Sequence, residues 1–338
     1  MLRRKTAFIL YLALGICTTA CKKETRIEKI TDEGYYTRLA NIINDNSGLS
    51  NFNSFLQTVQ GNVPDTLLLA GPYTVIAPDN PAFFILYSSN GYDTIGVHRN
   101  SLSAPYFVLN GDISLKQLPI GTNQEFTTIS GQKVWVSKWR NGNDTVTGVN
   151  GTRVNTADVP GSNGRINVVN RTYMKYSGDN CVMGVNSVYN LSFFAAALQR
   201  CHYDDSLKTG GPYTVLAPDN TAFVNRGFAT MDSVLRTDPA VLKDLVKGHI
   251  LTQRKFLLDM EMDRTTNDTM RYTNVAGDIV RAVLIPDTRF PTSDPRAKRI
   301  LFVGSKESYA APTRFDVYNT TYPCGNGTVI MIEKVLKQ

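Results

Sequence analysis

The stretch that decides the fold is Gly71-Pro72-Tyr73-Thr74-Val75-Ile76-Ala77-Pro78-Asp79-Asn80, because it returns almost unchanged later in the chain. The second occurrence is Gly211-Pro212-Tyr213-Thr214-Val215-Leu216-Ala217-Pro218-Asp219-Asn220, and it differs only where Leu216 stands in place of Ile76. A stretch of this length does not recur by chance in one chain. The sequence is therefore a tandem duplication.

Each copy predicts a turn, a short buried strand, a second turn and the start of a helix. Gly-Pro favours a turn, and Tyr-Thr-Val-(Ile/Leu)-Ala is a bounded run of β-prone apolar residues. The proline of Pro-Asp-Asn ends strand pairing, and Asn80 and Asn220 are expected as helix N-caps. Phe83 and Phe223 follow three residues later and are predicted to turn back onto the strand as core residues.

A second pair of matching segments closes each unit. These are Asn163 to Arg171 and Asn326 to Lys334, and each begins with Asn-Gly before an alternating apolar run, which favours a hairpin. The closing segments lie farther apart in sequence than the opening ones. The second copy therefore carries extra residues, which we place after Arg254.

These landmarks together resemble the fasciclin (FAS1) domain family, whose first box reads TVFAPTNxAF and whose closing strand reads NGxIHxID. A third family element is a helix that ends in a histidine; Leu245 to Leu251 match it around His249, while Phe107 stands at that place in the first copy. The resemblance implies an α+β fold of two fasciclin-like domains, each a β-sandwich or wedge of short strands with packed α-helices.

The same resemblance implies a function and a candidate site. Fasciclin-like domains are extracellular and associated with adhesion to proteins or glycans, and the histidine-containing box is the segment most often tied to it. The positions carried over are Gly248, His249 and Ile250. Helical spacing places His249 at the edge of the core. The resemblance implies that this histidine is buried and hydrogen-bonded within the domain.

The predicted organisation has five parts. Residues 1–20 are a signal peptide and 21–33 a lipid-anchored tether. Residues 34–174 form a first fasciclin-like domain, called here the first repeat, and 175–187 are the linker. Residues 188–338 form the second repeat. The linker is short, so we expect the two repeats to touch.

The beginning of the chain has the pattern of an export signal. A basic segment precedes the short apolar run 7–16, and small residues lead to Cys21. A cysteine in this position resembles the lipobox of Bacteroidetes-type bacteria, in which it is lipidated and becomes the mature N-terminus; ordinary secretion is the alternative. The run is too short to span a membrane. We expect a protein anchored by lipid in the outer membrane and exposed on the surface.

The net charge bears on the class of partner, and the cysteine content bears on the disulfides that can form. The net charge of +7 includes three positive charges in the signal peptide, so the mature chain carries +4 and gives no indication of nucleic-acid binding. Cys181, Cys201 and Cys324 remain after the leader and the anchor, and one disulfide with three alternative pairings is open. Cys181 and Cys201, the nearest in sequence, are the pair we favour.

The residues that catalysis usually needs are sparse. The three histidines, at 98, 202 and 249, form no triad-like or metal-binding pattern, and phosphate-binding glycine loops are absent, so we expect no catalytic site, no metal and no cofactor. A glycoside-acting enzyme with paired carboxylates stays a remote alternative. Its candidate residues are Asp204 with Asp205, and Asp259, Glu261 and Asp263.

Two partner classes remain, an envelope protein or an extracellular glycan. Aromatic rings stack on sugars, and Trp135 and Trp139 share one face if their strand is unbroken. Core burial is the expectation for Trp135, and exposure is the expectation for Trp139, which we take as a candidate glycan contact beside the turn at Asn141-Gly142. The alternative function is an accessory lipoprotein of an outer-membrane glycan-uptake complex, which binds a protein partner.

Overall fold

The computed structural model describes residues 34–58, 62–84, 102–264, 268–286, 298–306, 311–312 and 321–337. The signal peptide, Cys21, the tether and His98 lie outside the described residues, so the predictions made for them stay predictions. Residues Gly34–Gln338 form one compact unit.

The repeated box forms the central strand of each repeat. β1 (Tyr73–Pro78) runs parallel to β7 (Gly164–Val169), and β8 (Tyr213–Pro218) runs parallel to β15 (Gly327–Ile332) in the same register. β1, β8 and β15 are almost wholly buried, because their apolar residues face the core on both sides of the sheet, whereas half of the residues of β7 are partly exposed. The two closing segments are thus the partners of the two opening boxes.

The same set of hydrogen bonds holds the closing segment in place in both repeats. The side-chain amide of Asn163 donates to the carbonyl oxygens of Leu67 and Leu69 at 2.8 and 2.7 Å, and its oxygen accepts from Leu39 N–H at 2.9 Å. Asn326 makes the corresponding three bonds in the second repeat. The asparagine that precedes each glycine therefore fastens the hairpin to the helical layer.

The sheets of the two repeats differ in continuity. The first repeat has a seven-stranded sheet in the order β2-β1-β7-β6-β5-β4-β3, and the bridge Leu109–Thr128 brings its ends together. The described part of the second repeat has two four-stranded sheets, β14-β15-β8-β9 and β10-β11-β12-β13, joined by the bridge Leu251–Asn274. The remaining strands are β2 (Val108–Asn110), β3 (Gly121–Thr127), β4 (Lys133–Asn141), β5 (Asp144–Val149), β6 (Thr152–Gly161), β9 (Ile250–Leu251), β10 (Thr269–Thr273), β11 (Ile279–Pro286), β12 (Lys298–Val303), β13 (Ala311–Pro312) and β14 (Thr321–Cys324).

Short helices pack against these sheets and bury separate apolar cores. Among the described residues, no helix is long and apolar enough to cross a bilayer. The helices are α1 (Leu39–Asp45), α2 (Ser50–Thr58), α3 (Val63–Thr66), α4 (Asn80–Phe84), α5 (Cys181–Asn186), α6 (Ser192–Arg200), α7 (Asp204–Thr209), α8 (Asn220–Arg226), α9 (Met231–Arg236), α10 (Pro239–Gly248) and α11 (Leu257–Met262).

The expected N-caps are wrong by one residue. Asp79 and Asp219 cap α4 and α8, because their carboxylates accept from the N–H groups of Ala82 and Ala222 at 2.9 and 2.7 Å. Asn80 is instead the first residue of α4, and its side-chain oxygen accepts from Asn51 N–H at 2.9 Å. Asn220 does the same with Phe193 N–H, at 3.0 Å. Each asparagine therefore ties the start of one helix to the start of another.

The expected core residues of these helices are mostly confirmed. Phe83 and Phe223 are buried, as the box predicts, and α10 begins with Asp238 as its cap and Pro239 at its first position. Val241 in the first turns of α10 is 56% exposed and does not belong to the buried face of the helix. The extra residues after Arg254 begin with α11, which has no counterpart in the described segment 111–120 of the first repeat.

Candidate functional site

The histidine box of the second repeat lies in the core. His249 ends α10 with no exposed surface, its Nδ1–H donates to the carbonyl oxygen of Leu245 at 2.7 Å, and its Nε2 accepts from Leu336 N–H at 2.9 Å. The neutral ring therefore joins α10 to the residues that follow the last strand. This is the internally hydrogen-bonded core role that the sequence analysis expects.

Burial also sets the charge state of His249. Desolvation lowers the pKa of the imidazole to about 4, although its bond to the Leu245 carbonyl acts in the opposite direction. The ring is consequently neutral at physiological pH. A buried neutral ring with both nitrogens occupied holds structure, and it offers neither a general base nor a metal ligand.

The first repeat fills the same place with aromatic rings. Phe107 is fully buried, and its ring centroid lies 4.5 Å from that of Tyr173. Tyr173 follows β7 at the same distance in sequence as Leu336 follows β15. In the second repeat His249 contacts the backbone of Leu336 by a hydrogen bond, and at the equivalent place in the first repeat the rings of Phe107 and Tyr173 pack against each other.

The positions carried over from the family therefore have no surface for a ligand in this structure. Gly248, His249 and Ile250 are all buried, and Ile250 begins β9 at the edge of the sheet that contains β8. Their proposed contact role needs a correction, since helix α10 and the post-strand residues cover them. Any adhesive surface must lie elsewhere on the domain.

Trp135 of β4 is buried, as the sequence analysis predicted, and its ring faces the second repeat. Trp135 is 1% exposed, and its ring lies 6.3 Å by centroid from both Tyr176 of the linker and Phe256 of the second repeat. The guanidinium carbon of Arg254 lies 3.8 Å from the centre of the Trp135 indole. The unbroken strand does place Trp135 and Trp139 on one face, and that face is an interface between the repeats.

Trp139 lies at the margin of this interface. It is half-buried, and the tip of its ring lies beside Gly148, on the side where Leu258 of α11 approaches. Its indole N–H is buried and has no hydrogen-bond partner among the described residues. The predicted exposure of Trp139 is only partial, because α11 covers the strand. A sugar-stacking role would have to use the remaining edge.

We call this interface the joint and define it by Trp135, Ser137 and Trp139 of β4 with Arg254, Phe256, Leu258 and Asp259. Arg254 is its centre: only 8% is exposed, and one guanidinium nitrogen donates to the carbonyl oxygens of Cys324 and Gly325 at 2.9 and 2.7 Å. Its own carbonyl accepts from Asn123 of the first repeat at 3.1 Å. Arg254 thus binds the turn after β14 in the second repeat while its guanidinium stacks on Trp135 of the first repeat.

A carboxylate is also buried in the joint. Asp259 is 1% exposed, its Oδ2 accepts from Phe256 N–H at 2.7 Å, and its Oδ1 has no partner among the described residues. Desolvation raises the pKa of Asp259 to about 6, while the Phe256 N–H and the nearby Ser137 hydroxyl act to lower it. The short linker predicted that the two repeats touch, and they do. The sequence did not indicate which residues form the contact, although the position of Arg254 at the start of the extra residues was a usable signal.

A cleft opens beside the joint on the inserted sheet. It has a volume of about 710 Å³ and is lined by Gln253, Asp263, Tyr272 and a pair of arginines, Arg271 and Arg281. These arginines are exposed and stand directly opposite each other on β10 and β11, and neither has an acidic partner among the described residues. Like charges directly opposite each other in a pair of strands destabilise the sheet.

The carboxylates considered for glycosidase chemistry have structural partners. Asp204 and Asp205 pair with Lys208 at 3.0 and 2.9 Å, and Asp263 pairs with Lys255 at 2.6 Å. His202 is exposed at a positive φ beside α7. Within the described part of the chain, no cluster of histidine, cysteine or carboxylate side chains could hold a metal.

Comparisons with known proteins agree with this architecture. A model of the fasciclin domain matches the chain twice, over residues 47–175 and 189–338. Among solved structures the chain is similar to a FAS1 domain pair from the insect cell adhesion molecule fasciclin I, with 14% identity and a TM-score of 0.38 over 86% of this chain and 97% of that one. No curated protein matches the chain in sequence.

The solved structure is described as a domain pair of a cell adhesion molecule. The two matches to the family model cover well over half of the chain. The fold is of the mixed α+β kind, with curled sheets and several short helices. The chain therefore belongs to the fasciclin family and consists chiefly of two fasciclin domains in tandem.

Proposed function

We propose that this protein is a lipid-anchored adhesion protein of the bacterial outer membrane, which binds an extracellular glycan through the second repeat. The tandem adhesion modules support a display role, and the cysteine after the signal-like segment supports the anchor. One observation supports binding by the second repeat: Arg271 and Arg281 at the cleft have no acidic partner among the residues that the structure describes. Gly248, His249 and Ile250 contribute by holding the fold that carries this cleft.

The chemistry of the cleft selects an acidic ligand. A guanidinium presents a planar fork of donors that fits a carboxylate with two parallel hydrogen bonds. Arg271 and Arg281 bring two such forks to one rim, and Asp263 nearby is already neutralised by Lys255. The volume of about 710 Å³ lies in the range of small-molecule sites, whereas a protein partner needs a broad surface. A glycan with uronic-acid residues fits these conditions.

Removing the arginine pair tests this proposal. We expect the variant Arg271→Ala/Arg281→Ala to lose at least about tenfold in affinity for a soluble polyuronate, because two charge-assisted contacts are removed. Affinity of the wild type should fall as salt rises, and the variant should lose most of that dependence. Binding is measured by calorimetry or surface plasmon resonance on the folded protein.

A control variant that loses the same net charge distinguishes specific binding at the cleft from nonspecific electrostatic attraction to the protein. Arg226→Ala/Lys243→Ala removes the same charge from exposed helical positions of the second repeat and should bind like the wild type. Equal losses in both variants would remove the cleft from the proposal. Selective capture of one envelope protein, with no polyuronate binding by the wild type, would favour the accessory-lipoprotein function instead.

The anchor is tested at Cys21. We expect Cys21→Ser to release the protein from the membrane fraction, because the acyl groups that hold it there can no longer be attached, and stable anchoring requires such groups. Cell fractionation with detection of the mature chain measures this. Cys201→Ser is the control, since it changes a buried thiol of the second repeat and should leave the fraction unchanged. Membrane retention of the Cys21→Ser protein would contradict the lipid anchor.

A further inference from the structure

Two thiols that lie far apart in sequence meet in the second repeat. Cys181 is the first residue of α5, and Cys324 is the last residue of β14. Both are buried, both are free, and their thiol groups lie in contact with each other. The N–H of Cys181 donates to the side chain of Asn326 at 2.9 Å, so the backbone itself fixes the helix start against this strand.

Two glycines make room for the sulfur atoms. A Cβ on Gly184, one turn along α5, would collide with Sγ of Cys324, and a Cβ on Gly327 would collide with Sγ of Cys181. Gly327 is also the residue paired with Cys324 across the hairpin. The space around the two thiols is therefore shaped from both the helix and the strand.

The third thiol belongs to a different environment. Sγ of Cys201 donates to the carbonyl oxygen of Leu198 at 3.5 Å within the end of α6, and the charged groups nearest to it are Lys243 and Asp204. The pairing of Cys181 with Cys201 that the sequence favoured is thus replaced. Proximity in sequence did not predict the pair, because the strand that packs against the start of α5 comes about 140 residues later in the chain.

We propose that Cys181 and Cys324 form a disulfide in the exported protein. The bond joins the first helix of the second repeat to its penultimate strand and closes nearly the whole repeat into one loop. It also lies next to the joint, because Arg254 binds the carbonyl oxygens of Cys324 and Gly325. The inference rests on the proposed export, since disulfides persist in oxidising compartments.

The chemistry is ordinary thiol–disulfide exchange with a disulfide oxidant, such as an envelope oxidoreductase or oxidised glutathione. One thiolate attacks the oxidant and forms a mixed disulfide, and the second thiolate then displaces the remaining oxidant thiolate. The protein loses two electrons and two protons, and the oxidant gains them as two thiols. The hydrogen bond with the Cys324 thiol and burial raise the pKa of Cys181, so exchange should occur during folding, before the site closes.

Refolding followed by peptide mapping tests the pairing without reference to location. The full chain is unfolded and reduced, refolded with reduced and oxidised glutathione, alkylated and digested. We expect one crosslinked peptide pair that contains Cys181 and Cys324 and disappears on reduction, and an alkylated Cys201. The disulfide form should melt about 10 °C above the reduced form, as expected for a loop of this size in a domain of this length.

Variants and cell-derived protein complete the test. Cys201→Ser should keep the crosslink and the rise in melting temperature, whereas Cys181→Ser should lose both and leave Cys324 alkylated. A crosslink that contains Cys201 overturns the proposal, and so does alkylation of Cys181, Cys201 and Cys324 after oxidative refolding. Neither outcome bears on the lipid anchor, which the Cys21→Ser fractionation tests separately. Protein isolated from cells with alkylation at lysis should carry the same crosslink. Free Cys181 and Cys324 in that sample would overturn the disulfide in the exported protein.

Discussion

Trp135→Ala is expected to lower the free energy of unfolding by about 3–5 kcal/mol, among the largest effects of any single substitution in this chain. The side chain is 1% exposed and touches the linker, the second repeat and the Arg254 guanidinium. Its removal leaves a cavity in the joint and takes away the ring under a buried cation, which is worth about 2 kcal/mol where water is excluded.

The second expected consequence is a loss of coupling between the repeats. In the wild type the joint links them, so denaturant should unfold the chain in one transition as seen by circular dichroism and by tryptophan fluorescence. In Trp135→Ala the remaining fluorophore is Trp139, because the chain has two tryptophans. We expect its fluorescence change and the circular dichroism change to separate, with the fluorescence transition at lower denaturant.

Trp139→Phe is the matched control. Its indole N–H is buried without a partner among the described residues, so replacing it removes an unsatisfied donor as well as contact area. We expect a stability within about 1 kcal/mol of the wild type. Losses of equal size at Trp135 and Trp139, or a Trp135→Ala protein as stable as the wild type, would show that the joint does not contribute as described.

The joint illustrates where sequence reasoning fails. The repeated box, its buried phenylalanines and the closing hairpins were all predictable, because each depends on residues within a few positions of one another. Trp135 and Arg254 are far apart in sequence, and nothing local distinguishes a tryptophan that faces a partner domain from one that faces solvent. The packing of the two repeats against each other decides which surface Trp135 faces.

The N-caps failed for a different physical reason. Aspartate and asparagine both accept backbone N–H groups, and in Asp79-Asn80 either residue could begin the helix. The fold assigns the cap to Asp79 because Asn80 has a second task, the bond to Asn51 at the start of α2. Such a division of work requires knowledge of which helix lies nearby. For His249, helical spacing predicted a place at the edge of the core, and its internal hydrogen bonds were expected only from the resemblance to the family.

His249 and Asp259 should produce opposite pH dependences of stability over one pH range. The pKa of His249 is lowered from 6.5 to about 4 in the folded state, so the unfolded chain binds the proton more tightly. Its contribution is present above pH 6.5 and is lost as the pH falls towards 4, by about 3 kcal/mol. The pKa of Asp259 is raised from 3.8 to about 6, so its contribution is present below pH 4 and is lost as the pH rises to 6, by a similar amount.

Between pH 4 and 6.5 the two slopes oppose each other, so we expect the combined contribution of His249 and Asp259 to the wild-type unfolding free energy to be nearly flat. Asp259→Asn should expose the histidine slope, with stability that falls as the solution is acidified. His249→Phe, which installs the first-repeat residue, should expose the opposite slope and cost about 2–4 kcal/mol at neutral pH through the unpaired Leu336 N–H and Leu245 carbonyl. Denaturant titrations at several pH values measure all three proteins. Parallel pH profiles for the two variants would show that these buried groups do not titrate as the fold requires.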